Sequence, residues 1–227
     1  MKEKRTKLRD RVLPNYTKGE EIMNMVTHIV GGAFGIVALV LCVVFAAKRH
    51  NAYLVVGSAI YGSSLIILYT CSAVYHGLRR NMGKKVMQVI DHCTIYYLIG
   101  GTYTPIALGP IRELHPGLGW TIFGIVWGII AVAATFTAID HNKYKKLSMI
   151  CYLGIGWLIV FALKATIEAL TMNGFILLLC GGIAYSIGAV LYALGKKRGA
   201  KYVHSVFHIF VLGGTALQFI AIFRCCL

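Results

Sequence analysis

Apolar residues in this chain are gathered into long blocks separated by short polar punctuation. The blocks run over residues 24–47, 52–76, 86–108, 118–138, 148–168, 174–194 and 204–223. Each approaches or exceeds the roughly 20 residues a helix needs to cross a bilayer. Between them lie connections such as Lys48-Arg49-His50-Asn51, Gly77 to Lys85, Gly109 to Gly117, Asp140 to Leu147, Ala169 to Asn173 and Gly195 to Val203. Backbone polar groups in lipid must be paired internally, which leaves helices or a closed barrel. The blocks lack strict alternation and are too long for barrel strands, so the pattern predicts an all-α membrane protein, a bundle of seven transmembrane helices. Two regions follow: a basic tail over residues 1–21 and a transmembrane domain over residues 22–227.

Composition agrees, with 58% hydrophobic and only 14% charged residues, against about a quarter charged in soluble domains. The formal charge of +15 raises nucleic-acid binding, but the basic residues sit in the tail and in the short connections, where they act as an orientation signal instead. With the N-terminus in the cytoplasm, that side receives 7 Lys and Arg from the tail, 4 from the second connection, 3 from the fourth and 4 from the sixth, 18 of 23 in all. The N-terminus is therefore expected inside and the C-terminus outside, as an odd number of spans requires. The first 20 residues have no apolar core of a cleavable signal peptide. The seven cysteines show no disulfide or C-x-x-C pattern and read as buried thiols. Gly31-x-x-x-Gly35 and Gly124-x-x-x-Gly128 are spaced for close helix packing.

Ionisable groups inside spans are costly and usually functional. Ser72 and His76 close the second span, Asp91-His92 opens the third, and His204-x-x-x-His208 opens the seventh. At about 1.5 Å per residue all lie within roughly 10 Å of the cytoplasmic boundary. His204 and His208, four apart, share a helix face, the spacing by which a helix offers two ligands to one metal. His76 supplies a third imidazole. Three histidines with an open position form a zinc pattern, although iron, copper and nickel accept the same ligand type. Asn24 and His28 share a face of the first span near Glu20 and Glu21. Lys164 and Glu168 read as a neutralising pair, and His50, His115 and His141 as solvated loop residues.

These residues together resemble the hemolysin III family of the progestin and adipoQ receptor superfamily. The likeness is carried by Glu21-x-x-Asn24-x-x-x-His28, Ser72-x-x-x-His76, His204-x-x-x-His208 and the long third-span stretch from Asp91-His92 through Gly101-Thr102-Tyr103-Thr104-Pro105. The resemblance implies zinc near the cytoplasmic face, with His76, His204 and His208 as ligands. Asp91 would be the partner of the zinc water and Ser72 a neighbouring hydrogen-bonding group. It implies a multi-pass protein of a bacterial plasma membrane. Relatives in the superfamily include alkaline ceramidases, so one expectation is a zinc-dependent hydrolase of a lipid amide or ester, with a membrane lipid as substrate. The other is a non-enzymatic, zinc-stabilised bilayer sensor or cytolysin. A channel or transporter is disfavoured, because the ionisable groups concentrate at one end.

Overall fold

A computed structural model describes residues 5–227 of the 227-residue chain, so Lys2 and Lys4 of the basic tail lie outside the described residues. Among the described residues there is no strand. The helices are α1 (Lys18–Lys48), α2 (Ala52–Gly77), α3 (Met82–Ile106), α4 (Pro116–Ile139), α5 (His141–Gly156), α6 (Leu163–Lys197) and α7 (Val203–Cys225). Five stretches are long and apolar enough to cross a membrane: α1, α2, α4, the continuous run His141–Lys197, and α7. The chain is thus an all-helical, multi-pass membrane protein. α3 is not among the five. Its first turns carry Lys84, Lys85, Gln88, Asp91 and His92, which lower its hydropathy.

The helix ends follow from local chemistry. Thr17 caps α1 through a reciprocal box: the Glu20 carboxylate accepts the Thr17 N–H at 2.8 Å while the Thr17 hydroxyl oxygen accepts the Glu20 N–H at 3.3 Å. Asn51, Asn81 and Asp140 cap α2, α3 and α5 in the simpler manner, each accepting a first-turn backbone N–H. The fifth apolar block is less regular than expected. α5 gives way at Trp157 to a short 3₁₀ turn, Leu158–Ala162, before α6 begins. α6 is itself broken at Thr171 (φ 61°, ψ 167°), inside the connection expected between the fifth and sixth blocks. Past Pro105, α3 runs into a buried π-type turn over Ala107–Ile111 that contains Pro110.

α1 packs along α2, α2 along α3, and α6 along α7, and contact between α1 and α7 closes the arrangement. Glycine sets the first of these approaches. A Cβ on Gly31 would lie 2.4 Å from the Tyr69 ring, and one on Gly35 would lie 3.1 Å from the Ile66 backbone nitrogen. The other glycine pair behaves differently, because Cβ atoms on Gly124 and Gly128 would meet nothing within 4 Å. Spacing alone cannot tell an inward-facing glycine pair from an outward-facing one. The cysteines are free thiols, two of them (Cys42 and Cys226) buried. Glu168 pairs with His115 at 3.1 Å rather than with Lys164.

The N-terminal segment does not stand off in solvent. Arg5 Nε and Arg11 Nη2 donate to the Ile139 carbonyl at 3.0 and 3.1 Å, and Asp140 Oδ2 accepts the Thr6 N–H at 2.7 Å. Arg80 Nη1 and Nη2 donate to the Pro14 and Leu13 carbonyls, and Lys85 Nζ to that of Arg9. The segment is thereby strapped across the basic end of the bundle. Burial works against the Asp140 carboxylate, but the Thr6 and Lys143 N–H groups and the nearby Arg11 charge outweigh it and hold it below the usual carboxylate range.

Two outcomes follow. Gly31→Ala should destabilise the detergent-solubilised chain by about 1–3 kcal/mol, the usual range for overpacking, whereas Gly124→Ala should leave its thermal midpoint unchanged or slightly raised. Because the folded pKa of Asp140 is depressed, its stabilisation is complete above the ordinary carboxylate value of about 3.9 and is lost as pH falls through the lower folded value. Asp140→Asn should therefore lower the midpoint at pH 7, and the gap from the native chain should narrow as pH falls below about 3.9.

Candidate metal centre

The residues singled out by spacing meet at the basic end of the bundle. His76, near the end of α2, and His204 and His208, at the start of α7, each present a ring nitrogen so that the three atoms lie within 4.8 Å of one another. His76 and His208 are both buried. Two of the rings nearly touch, with His208 Nε2 and His204 Nε2 3.1 Å apart. Two nitrogens bound to one tetrahedral zinc at 2.0–2.1 Å would be separated by about 3.3 Å.

Two of the three rings are held from behind, whereas His204 Nδ1 is buried without a hydrogen-bond partner. Nδ1–H of His76 donates to Glu21 Oε2 at 2.7 Å, which fixes the tautomer and leaves Nε2 as a lone pair. That Nε2 is buried and without a hydrogen-bond partner. Nδ1–H of His208 donates to the Asn24 carbonyl, with the Thr27 hydroxyl oxygen also 3.3 Å away. An imidazole whose far nitrogen is anchored to a carboxylate or carbonyl is the usual support of a metal-binding histidine. The donor set and the orphaned Nε2 fit a zinc ion.

α1 supplies most of this support. Glu21 also takes Lys84 Nζ on its other oxygen at 2.7 Å, so one carboxylate joins α1, α2 and α3. Lys84, which the sequence offers as one more loop cation, is buried and also donates to the His76 and Leu78 carbonyls. Three residues on from Glu21, Asn24 Oδ1 accepts the Ser205 hydroxyl at 2.6 Å and ties α1 to α7. His28 stacks on His208 with ring centroids 3.6 Å apart and planes 15° apart. Neither of its ring nitrogens has a partner.

Asp91 is buried, close enough to His76 for their charges to interact and beside the Ser72 hydroxyl. Its Oδ2 lies 3.8 Å from His92 Nδ1. His92 is engaged both by its own helix and by α5. Its Nδ1–H donates to the Gln88 carbonyl, and its ring lies 3.9 Å from that of His141. His141 is buried rather than solvated, because the N-terminal segment covers the start of α5. The same segment places Tyr16 on His204, centroids 5.2 Å apart and planes 8° apart. No spacing rule could have found Tyr16, since the loop that carries it has no periodicity.

A multi-pass helical membrane protein with a buried histidine centre braced by a carboxylate is the class that fold and site define. Residues 16–219 match the family described as haemolysin-III related. The chain belongs to that family, within the progestin and adipoQ receptor superfamily. It is 38% identical over 203 residues to "Hemolysin-3" of Bacillus cereus, covering 89% of this chain and 90% of the relative. It is 38% identical over 211 residues to "Hemolysin-3 homolog" of Bacillus subtilis (strain 168), covering 93% and 96%. A more distant similarity, 28% over 176 residues, links it to the human "Monocyte to macrophage differentiation factor", covering 73% of this chain and 68% of that one.

The buried Asn24–Ser205 contact should couple energetically. Asn24→Ala leaves the Ser205 hydroxyl unsatisfied and should cost about 1–3 kcal/mol. Ser205→Ala in that background should cost less than it does alone, as a double-mutant cycle of unfolding free energies would reveal.

Proposed function

We propose that this chain is a seven-span, zinc-binding hydrolase that cleaves an amide or ester bond of a membrane lipid in a bacterial plasma membrane, with its N-terminus and metal centre toward the cytoplasm. The observation that carries the reading is the convergence of His76, His204 and His208, their ligand nitrogens within 4.8 Å of one another. The seven-span count is supported by α3, whose 25 residues extend about 37 Å, and by the break at Thr171 within the run His141–Lys197. The orientation is supported by the basic residues gathered at one end.

Zinc held by the three imidazoles would supply Lewis acidity, polarising a carbonyl and acidifying water toward neutral pKa. The chain's own groups do the rest. Glu21 keeps the proton of His76 on Nδ1, and the Asn24 carbonyl does the same for His208, so both rings face the centre as lone-pair donors. The Asp91 carboxylate accepts the proton of the attacking water as general base. Ser72, beside it, donates to the oxygen that gains charge as the carbonyl becomes tetrahedral. Burial among apolar helices excludes bulk water and strengthens both interactions.

A second reading has one observation in its favour, the name Hemolysin-3 carried by the Bacillus cereus relative. In it the metal only ties α2 to α7, and the protein perturbs or senses the bilayer. The two readings separate in one set of measurements. The hydrolase reading expects about one zinc per chain, lost in His76→Ala and His208→Ala. Asp91→Asn should keep its zinc and lose turnover by at least about a hundredfold. Zinc-loaded protein that releases no product from any lipid amide or ester in a broad lipidomic screen, yet makes liposomes leak, would replace it with the second reading.

A further inference from the structure

His204 differs from the other two histidines of the centre in how its ring is held. His76 and His208 are each anchored through Nδ1 to an acceptor on α1, whereas His204 Nδ1 is buried with no partner. The terminal torsion of a histidine side chain is broad. A ring without an anchor at its far nitrogen can therefore turn and carry its lone pair away from a metal. What restrains His204 is aromatic packing. Phe207 stacks on it from its own helix, with centroids 5.8 Å apart, and Tyr192 of α6 approaches at an interplanar angle of 53°. Tyr16 lies on it with centroids 5.2 Å and planes 8° apart. Among the described residues, Tyr16 is the one ring from outside α7 that stacks parallel to His204.

Tyr16 belongs to the N-terminal segment ahead of α1, and its position is set by what grips its neighbours. On one side Arg80 donates to the Leu13 and Pro14 carbonyls at 3.2 and 2.9 Å. On the other, Thr17 is fixed by its capping box with Glu20. Between these two points the Tyr16 ring reaches the centre, its hydroxyl 3.5 Å from that of Tyr192 and its centroid 6.0 Å from that of His76. Arg80 is exposed and follows His76 by four positions. One short stretch of chain thus carries a histidine of the centre and the clamp that holds the segment over another.

We propose that Tyr16 is a positioning residue of the histidine centre and that the N-terminal segment acts through it as a lid on metal exchange. Docked, the segment covers one face of the His204 ring and keeps its Nε2 turned toward that of His208, 3.1 Å away. Lifted, it takes away the parallel ring and leaves His204 free to turn, which weakens the three-histidine set to two held ligands. Linkage runs both ways: if the docked segment favours bound metal, bound metal favours the docked segment by the same factor. This inference rests on the zinc-binding part of the proposed function and is independent of hydrolysis.

The test loads the full chain with zinc in detergent and follows transfer of the metal to a chromogenic chelator. Tyr16→Leu, which keeps bulk but loses the flat ring, should release zinc about tenfold faster than the native chain, the usual effect of losing a group that supports a metal-binding histidine. Tyr16→Phe keeps the ring and should release it at the native rate. Arg80→Gln leaves Tyr16 in place and loosens its clamp, so it should speed release as well. In the Tyr16→Leu background it should add little, because both changes act through one contact. A general loss of stability would instead make the two effects add and would not be rescued by Tyr16→Phe. In the reverse direction, zinc should slow tryptic cleavage after Arg9 and Arg11 in the native chain and not in Tyr16→Leu. Equal release rates from the native chain, Tyr16→Leu and Arg80→Gln, or cleavage of the segment that ignores zinc, would overturn the lid and leave the metal reading standing. A native chain that takes up no zinc would overturn both, so the two failures are distinguishable.

Discussion

Everything at the basic end of the bundle turns on one half-buried carboxylate. Glu21 holds the Nδ1 proton of His76 on one oxygen and the Lys84 ammonium on the other, both at 2.7 Å. An unpaired carboxylate here would lose part of its hydration with nothing in return. Lys84 makes the charge tolerable, and His76 gives it a purpose. The two contacts draw the start of α1, the end of α2 and the start of α3 together. They also decide which way the His76 ring faces, because a ring that donates through Nδ1 must present Nε2 as a lone pair. Were Glu21 neutral, Lys84 would be the stranded charge and the ring would be free to turn.

That constraint separates what the sequence could show from what it could not. The i, i+4 spacing of His204 and His208 reports one helix face whatever the fold, so the cluster could be read directly, and so could the depth shared with His76 and Asp91. Glu21 could be seen as a neighbour of Asn24 and His28 on α1. Its partners could not, because a salt bridge to Lys84 depends on how three helix ends meet. Lys84 itself reads as a loop cation like Lys85, and only the structure distinguishes the buried one. His141 misleads for a related reason. It follows a helix break, where a polar residue is ordinarily solvated, but the Ile139 carbonyl, accepting from Arg5 and Arg11, and the Asp140 carboxylate, accepting the Thr6 N–H, recruit the N-terminal segment over it. Contacts made by backbone atoms leave no mark in a pattern of side chains.

The interior beyond the histidines is less apolar than block hydropathy suggests. Tyr69 and Tyr185 both reach the Thr215 hydroxyl, at 2.7 and 2.8 Å, while Tyr61 and Ser58 are buried deeper along α2 with unpartnered hydroxyls. Tyrosine and threonine count as nearly neutral in a hydropathy window, so this column of hydroxyls on α2, α6 and α7 passes unnoticed in the sequence. It carries no ionisable pair, and the strongest polar contacts pair its members with each other. The column extends the polar interior from the histidine centre along α2, α6 and α7.

Access to the histidine centre is shaped by the same segment that hid His141. Tyr16 lies flat on His204, and Tyr192 approaches the same ring with centroids 5.0 Å apart. The face of the centre toward the basic end is therefore covered by aromatic rings and by a strap whose attachments reach Ile139, Asp140, Arg80 and Lys85. Each attachment is a hydrogen bond to a single carbonyl or carboxylate, individually worth about 1 kcal/mol, so the cover is firm in sum and separable in parts. A buried centre capped in this way favours a reactant that arrives from within the bilayer, where desolvation has already been met, over one that must shed its water at the capped end. On that physical ground the lipid substrate of the proposed reading suits the capped site better than a polar solute would.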